Sequence, residues 1–201
     1  MRIIAGRWAG RSLVSPGGRV RPTAEAVRDA AMSLVADDLR GARVLDLFAG
    51  TGAMGLEAIS RGARSCDFVE NGSGAIHSLK ANVAALHARE RSRIFLRDAI
   101  PFIERLPAHA YDLAFADPPY GSRKLDRVLQ RWLEVPFSRV LVLEHAPDHA
   151  LPARGTSRRI GDNDTMITVF RARPANRPAR ERPGATRASR GEAGDGASQK
   201  P

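Results

Sequence analysis

Four acidic residues stand where chemistry could be done, each at or just after the end of a short apolar run. The first belongs to Val44-Leu45-Asp46-Leu47-Phe48-Ala49-Gly50-Thr51-Gly52-Ala53-Met54-Gly55. A buried strand that carries an acid and passes through a glycine-rich turn into a helix lets backbone approach a ligand closely. Asp46, Phe48, Gly50 and Gly52 are therefore candidate ligand-binding residues. Dinucleotide sites use such a turn to seat a pyrophosphate at the helix N-terminus. Here the Asp46 carboxylate would repel a pyrophosphate and suits a ligand bearing an ammonium group. S-adenosylmethionine carries an amino group and a sulfonium and no phosphate, so it is the expected cofactor in preference to a nicotinamide. The plain alternative is a turn that only packs helix on strand.

Glu70 follows Ser65–Val69, where an acid can accept both hydroxyls of a ribose; a solvated strand-end acid is the other reading. Asp98 follows Ile94–Leu96 and could hold an adenine amino group or cap the next helix. Asp117-Pro118-Pro119-Tyr120 follows Leu113–Ala116. Its two prolines fix the backbone and remove two amide donors. What remains is a set of acceptors, the Asp117 carboxylate and the Pro118 carbonyl, which match the two N–H donors of an arylamine. Tyr120 offers a ring face for stacking. Asp117, Pro118, Pro119 and Tyr120 are thus the candidate catalytic set, acting on an exocyclic amino group of a nucleic-acid base. A bare loop after a strand would read the same way.

These residues converge only if the elements that carry them lie side by side. Strands are expected at Arg43–Leu47, Ser65–Val69, Ile94–Leu96, Leu113–Ala116 and Arg139–Leu143. Helical patterns separate them at Ala53–Ser60, Ser73–Leu86, Pro101–Leu106 and Asp126–Trp132. Such alternation predicts an α/β fold, a mostly parallel sheet with helices on both faces. Two further strands, Ser157–Ile160 and Met166–Phe170, flank the turn-rich Gly161-Asp162-Asn163-Asp164, so the sheet of seven strands should end in an antiparallel hairpin. Before the sheet, Ile3-Ile4 and Leu13-Val14 with their glycines predict a short basic β-hairpin or arm. One helix is expected from Ala24 to Leu39 behind a Thr23 cap. The units read as 1–40 (arm and helix), 41–172 (catalytic domain) and 173–201 (a disordered basic tail). That tail has no apolar residue larger than alanine apart from proline.

The formal net charge of the 201 residues is +10. Arg2, Arg7, Arg11, Arg19 and Arg21 precede the first acid, and the tail carries the rest of the excess. Basic ends on a near-neutral body suit a polyanionic partner, because neutralised phosphates release counterions. A genome bias toward arginine is the bland alternative. The single cysteine, Cys66, rules out an intrachain disulfide and reads as packing. His145 and His149 have the spacing of helical metal ligands, but Pro147 lies between them, so both read as surface or loop histidines and no metal is expected. Trp8 could stack on a base or pin the arm. No run reaches the length of a membrane span and no signal-peptide core is seen, so a cytoplasmic monomer is expected.

Four stretches resemble the RsmD-type family, which methylates a guanine N2 in 16S ribosomal RNA. Arg2-Ile3-Ile4-Ala5-Gly6-Arg7-Trp8-Ala9-Gly10-Arg11 is similar to the family's basic N-terminal arm. Arg21-Pro22-Thr23-Ala24-Glu25-Ala26-Val27-Arg28 is similar to its RPT-x-x-x-VR segment. Asp46 to Gly62 resembles its cofactor loop and helix, and Asp117–Tyr120 its catalytic motif. The likeness runs to about Phe170, with Glu144-His145 and Gly161-Asp162 also fitting. It implies a Rossmann-like class I methyltransferase fold and S-adenosylmethionine as cofactor. It also implies ribosomal RNA or the small ribosomal subunit as partner, with Arg7, Arg11 and Arg21 on the RNA. An adenine-N6 methyltransferase acting on DNA and a non-catalytic RNA-binding protein are the rivals.

Overall fold

The computed structural model describes residues 1–15, 22–119, 121–160 and 165–173. Seven strands form one sheet: β1 (Arg43–Leu47), β2 (Ser65–Glu70), β3 (Ser92–Leu96), β4 (Tyr111–Ala116), β5 (Ser138–His145), β6 (Thr156–Ile160) and β7 (Thr165–Arg171). Their order is β3-β2-β1-β4-β5-β7-β6. β1 to β5 pair in parallel, while β7 runs antiparallel to both β5 and β6. This is the mostly parallel sheet with a terminal antiparallel hairpin that the sequence predicts. The turn at 161–164 lies outside the described residues.

The central strands are apolar almost without interruption because both their faces are covered. Alternation sends Val44, Phe68, Leu113, Phe115, Val140 and Val142 to one face. It sends Leu45, Leu47, Val69, Ala114, Ala116, Leu141 and Leu143 to the other. The first face is covered by α1 (Pro22–Leu34), α2 (Ala36–Leu39), α3 (Ala53–Ser60) and α4 (Ser73–Ala85). The second is covered by α5 (Ala99–Glu104) and α6 (Lys124–Glu134). α6 shows the reason plainly: Leu125, Val128, Leu129 and Trp132 recur at helical spacing and are all buried. Among the described residues no helix is long and apolar enough to cross a membrane.

Two local expectations change. The single helix Ala24–Leu39 is two helices, broken where Val35 leaves helical geometry (φ −124°, ψ 23°). The break turns Leu39 into the core just before β1. The first helix already begins at Pro22, whose missing N–H is harmless in a first turn, so Thr23 lies inside it and not before it. The arm pairs with itself as expected, by an Arg2–Ser12 bridge and backbone bonds from Ile3 N to Arg11 O and from Gly10 N to Ile3 O. It is not a free appendage, however. Ile3 and Leu13 are buried in the same cluster as α1, α3 and the sheet, on both sides of the boundary expected near residue 40.

Candidate active site

Strand order reverses between β1 and β4, and ligands of open α/β sheets bind outside the carboxyl ends of the strands at that point. A cavity of about 250 Å³ lies there, lined by Asp46, Phe48, Gly50, Asp117, Glu144 and Arg28 among others. Asp46 faces it from β1 and is 3% exposed. Its Oδ2 accepts from Gly55 N at 2.9 Å. That bond needs glycine: a Cβ on residue 55 would sit 2.5 Å from Cys66 Sγ and 3.0 Å from Asp46 Oδ2. Gly52 has φ +78°, and a Cβ there would meet Leu79 at 2.2 Å. Phe48 also holds a positive φ of 59°, a costly conformation for a side chain with a Cβ and one that clusters at functional sites.

Burial pushes the Asp46 carboxyl up to about 8, against the opposing bond from Gly55, and the negative neighbours Asp117 and Glu70 add to the rise. The folded value lies above the ordinary 3.8, so this group's contribution to stability is full below about 4 and is lost as pH rises through 8. Asp46→Asn keeps an oxygen for Gly55 and has no such loss. The variant without ligand is expected to melt several degrees above the parent near pH 8, and level with it near pH 4. Thermal midpoints that run parallel across that range would refute a desolvated Asp46.

Glu70, at the end of β2, spends both oxygens on backbone. Oε2 accepts from Gly50 N at 2.8 Å, and Oε1 from Asn71 N and Gly72 N at 2.9 and 2.7 Å. It thus ties the glycine turn to β2. Asp98 takes the capping role: Oδ1 accepts from Ile100 N at 2.9 Å, while Lys124 Nζ and Asn71 Nδ2 reach Oδ2 at 3.2 and 3.4 Å. The Ile100 bond, followed by Lys124, holds its carboxyl below the usual range. Glu70 and Asp98 stand on the β2–β3 side of the turn; neither lines the cavity that holds Asp46 and Asp117.

Asp117 is open to solvent at the mouth of the crevice but walled elsewhere, and that desolvation raises its carboxyl to about 6. Pro118 is buried and Pro119 exposed. Both line a second cavity of about 330 Å³, with Ser122, Leu125, Glu144 and His149. Tyr120 lies outside the described residues. The crevice therefore gathers Asp46, Phe48, Gly50 and Asp117 as the sequence predicts, and adds Arg28 and Glu144, to which the sequence assigned no role.

Both additions left a trace in the sequence. Glu144 follows the apolar run of β5, as Glu70 follows that of β2. Arg28 falls on the buried stripe of α1, four residues before Met32. Arg28 is 3% exposed, donates from Nη2 to Arg2 O at 2.5 Å, and sits 3.4 Å from Glu57 Oε2. Burial lowers its pKa, with Glu57 opposing. Glu57, fully buried on α3, also accepts from Ile4 N, Ala5 N and Arg61 Nε. This hub locks the arm to α1 and α3 just behind the crevice.

Among the described residues, none of the arm's arginines lines the crevice. Arg7 belongs to the 3-10 turn Gly6–Trp8, which packs on Ser60 at the far end of α3. Arg11 donates to Ala85 O at the last turn of α4, also remote from the strand carboxyl ends. Both are exposed. Trp8 takes the pinning position: its side chain packs against the core cluster, and its backbone N–H donates to Ser60 Oγ. Arg21 lies outside the described residues. His145 is a correction: it is no surface histidine but is buried in β5, its Nε2 2.7 Å from Thr168 Oγ1, and burial lowers its pKa. His149 is only partly buried and faces Asp126 at 2.8 Å. Among the described residues, no three His, Cys, Asp or Glu side chains cluster as metal ligands would. Cys66 is buried, and burial raises its thiol well above 9.0, which fits packing.

The family model described as Conserved hypothetical protein 95 matches residues 1–163. The protein YlbH of Bacillus subtilis is 35% identical over 132 residues, 64% of this chain and 72% of that protein. Ribosomal RNA small subunit methyltransferase D of Escherichia coli K12 is 35% identical over 132 residues, 64% of this chain and 65% of its own length, just under two thirds. The solved structure of the Escherichia coli protein yhhF superposes with a TM-score of 0.73 at 28% identity, covering 85% of this chain and 97% of that one. These neighbours identify the architecture as the Rossmann-like methyltransferase fold. A match that begins at Met1 and takes in both the N-terminal segments and every strand-end acid of the crevice makes this chain a member of the RsmD-type family.

Proposed function

We propose that the protein transfers a methyl group from S-adenosylmethionine to the exocyclic N2 amine of a guanine in small-subunit ribosomal RNA. The observation that carries this reading is Asp117-Pro118-Pro119 at the end of β4, opening on the same crevice as Asp46 and the glycine turn. Family membership supports it, since relatives from Escherichia coli and Haemophilus influenzae bear the name ribosomal RNA small subunit methyltransferase D.

The crevice suits the cofactor's charge. Asp46 stands there beside the glycine turn, an arrangement that disfavours a pyrophosphate and suits the ammonium of the cofactor's amino-acid end. Asp46, Phe48 and Gly50 would hold that end, and Glu70 and Asp98 would border the nucleoside. When bound, S-adenosylmethionine supplies a methyl group already activated by its sulfonium.

The chain's own task is then alignment, which can contribute ~7–11 kcal/mol, more than the ~10²–10⁴-fold of general-base help. The prolines leave no amide donor to compete for the amine. The Asp117 carboxylate and Pro118 carbonyl accept its two hydrogens and hold the nitrogen lone pair toward the methyl group. Asp117 also supports the positive charge gained by nitrogen and takes the proton that leaves it.

Incubation with labelled cofactor and separate small-subunit particles, free ribosomal RNA and DNA tests this reading. Nucleoside analysis is expected to give N2-methylguanine from the ribosomal substrate. N6-methyladenine in DNA, with no methylated guanine in RNA, would overturn it in favour of the adenine enzyme. Absence of cofactor binding would favour the non-catalytic reading.

A further inference from the structure

We propose that Glu144 is the residue that selects guanine, receiving the N1–H of the acceptor base beside the amine held by Asp117. The inference rests on the reading that the acceptor is a base amine, and it names what tells one base from another. β4 and β5 are parallel with Ala116 opposite Leu143, so the next positions, Asp117 and Glu144, emerge side by side. Glu144 lines both cavities: the one that holds Asp46 and Asp117, and the one floored by Pro118 and Pro119. It therefore stands on the ridge between them, where a base resting on the prolines would present its edge. Alternation along β5 continues the row Val140, Val142 with residue 144, a row whose packing calls for apolar side chains. The chain carries a half-buried carboxylate there instead.

The chemistry of the base edge supplies the rest. Guanine offers N1–H next to its N2 amine, a pair of neighbouring donors that adjacent carboxylates match. Adenine offers an amine next to N1, which there is a lone pair. Asp117 and the Pro118 carbonyl satisfy amine hydrogens that both bases possess, so they cannot choose between them. A carboxylate facing N1 can: it gains a hydrogen bond from guanine and meets a lone pair in adenine. A site that must bond a particular polar group rejects an analogue lacking it by ~10⁴–10⁵-fold at best.

The test uses the full chain and small-subunit particles assembled in vitro, with the position methylated by the parent protein carrying guanine or 2-aminopurine. The second base keeps the 2-amine but presents a lone pair at N1. The parent is expected to favour guanine by roughly 10²-fold in kcat/KM. Glu144→Gln, whose amide can donate or accept, is expected to lose roughly 10- to 100-fold on guanine. Its preference between the two bases should fall to within about 3-fold, with cofactor affinity and thermal midpoint kept. A Gln variant that retains the parent's preference overturns the proposal. If the variant does not fold, the parent decides alone: equal rates on guanine and 2-aminopurine overturn the proposal, and a strong guanine preference supports it. A parent that methylates no guanine at all removes the underlying function as well, which the parent's own product analysis reveals.

Discussion

Replacing Asp117 with asparagine is expected to lower turnover by ~10²–10⁴-fold while cofactor affinity stays within a few-fold of the parent. Asparagine keeps the shape and one acceptor. It loses the charge that supports a nitrogen becoming positive, and it can turn an NH₂ group toward the substrate amine. The cofactor's amino-acid end meets Asp46 and the glycine turn instead, so its affinity should be insensitive. The pH profile provides a second readout. Burial lifts the Asp117 carboxyl from 3.8 to about 6, so the acceptor is protonated, and lost, as pH falls through that value. The parent's rate should therefore drop about tenfold per pH unit below 6, and the residual rate of the variant should lack that limb. Calorimetry with cofactor and single-turnover rates between pH 5 and 8 measure both. Equal loss of cofactor affinity in Asp117→Asn and Asp46→Asn would contradict the division of labour between β1 and β4.

The largest effect on stability is expected from Glu57→Ala. This carboxylate is fully buried and serves four donors: two arm amides, Arg28 and Arg61. Removing it leaves the 3%-exposed Arg28 guanidinium without its paired carboxylate, and removal of one member of a buried pair typically costs about 3–5 kcal/mol. Ile4 and Ala5 amides lose their acceptor at the same time. Urea unfolding should show a shift of that size or a failure to fold. Glu57→Gln keeps acceptors for the arm and should be milder. A change below ~1 kcal/mol in the alanine variant would mean that the arm is held by Ile3, Leu13 and its other bonds, and not by this carboxylate.

What the sequence disclosed and what it concealed divide along a physical line. The strands were legible because the parallel core imposes apolar runs, and the turns around Gly50 and Pro118 punctuate them. Asp46 and Asp117 were legible because each acid stands in or just after such a run; Glu70 was legible only as a strand-end acid, since its oxygens go to backbone N–H groups. The Glu57 hub was not, since its bonds to Ile4 and Ala5 span more than 50 residues and leave no local spacing to read. The far placement of Arg7 and Arg11 was hidden for the same reason. Charge composition shows that an arm is basic, and only packing decides which end of α3 it reaches. His145 misled because Pro147 argued against a helix when the residue is in fact the last of a strand.

β7 enters the sheet between β5 and β6 although it is the last of the described strands in sequence. Its Ile167 lines the crevice, α1 packs on it, and Arg171 grips Asp38 of α2, 133 residues away. During synthesis, which proceeds from the N-terminus, β5 thus remains an unfinished edge until almost the whole described body has emerged. Contacts of such sequence separation slow folding. The wall that carries Glu144 is completed only when β7 inserts, so a nascent chain does not possess a finished crevice before its final strand is made.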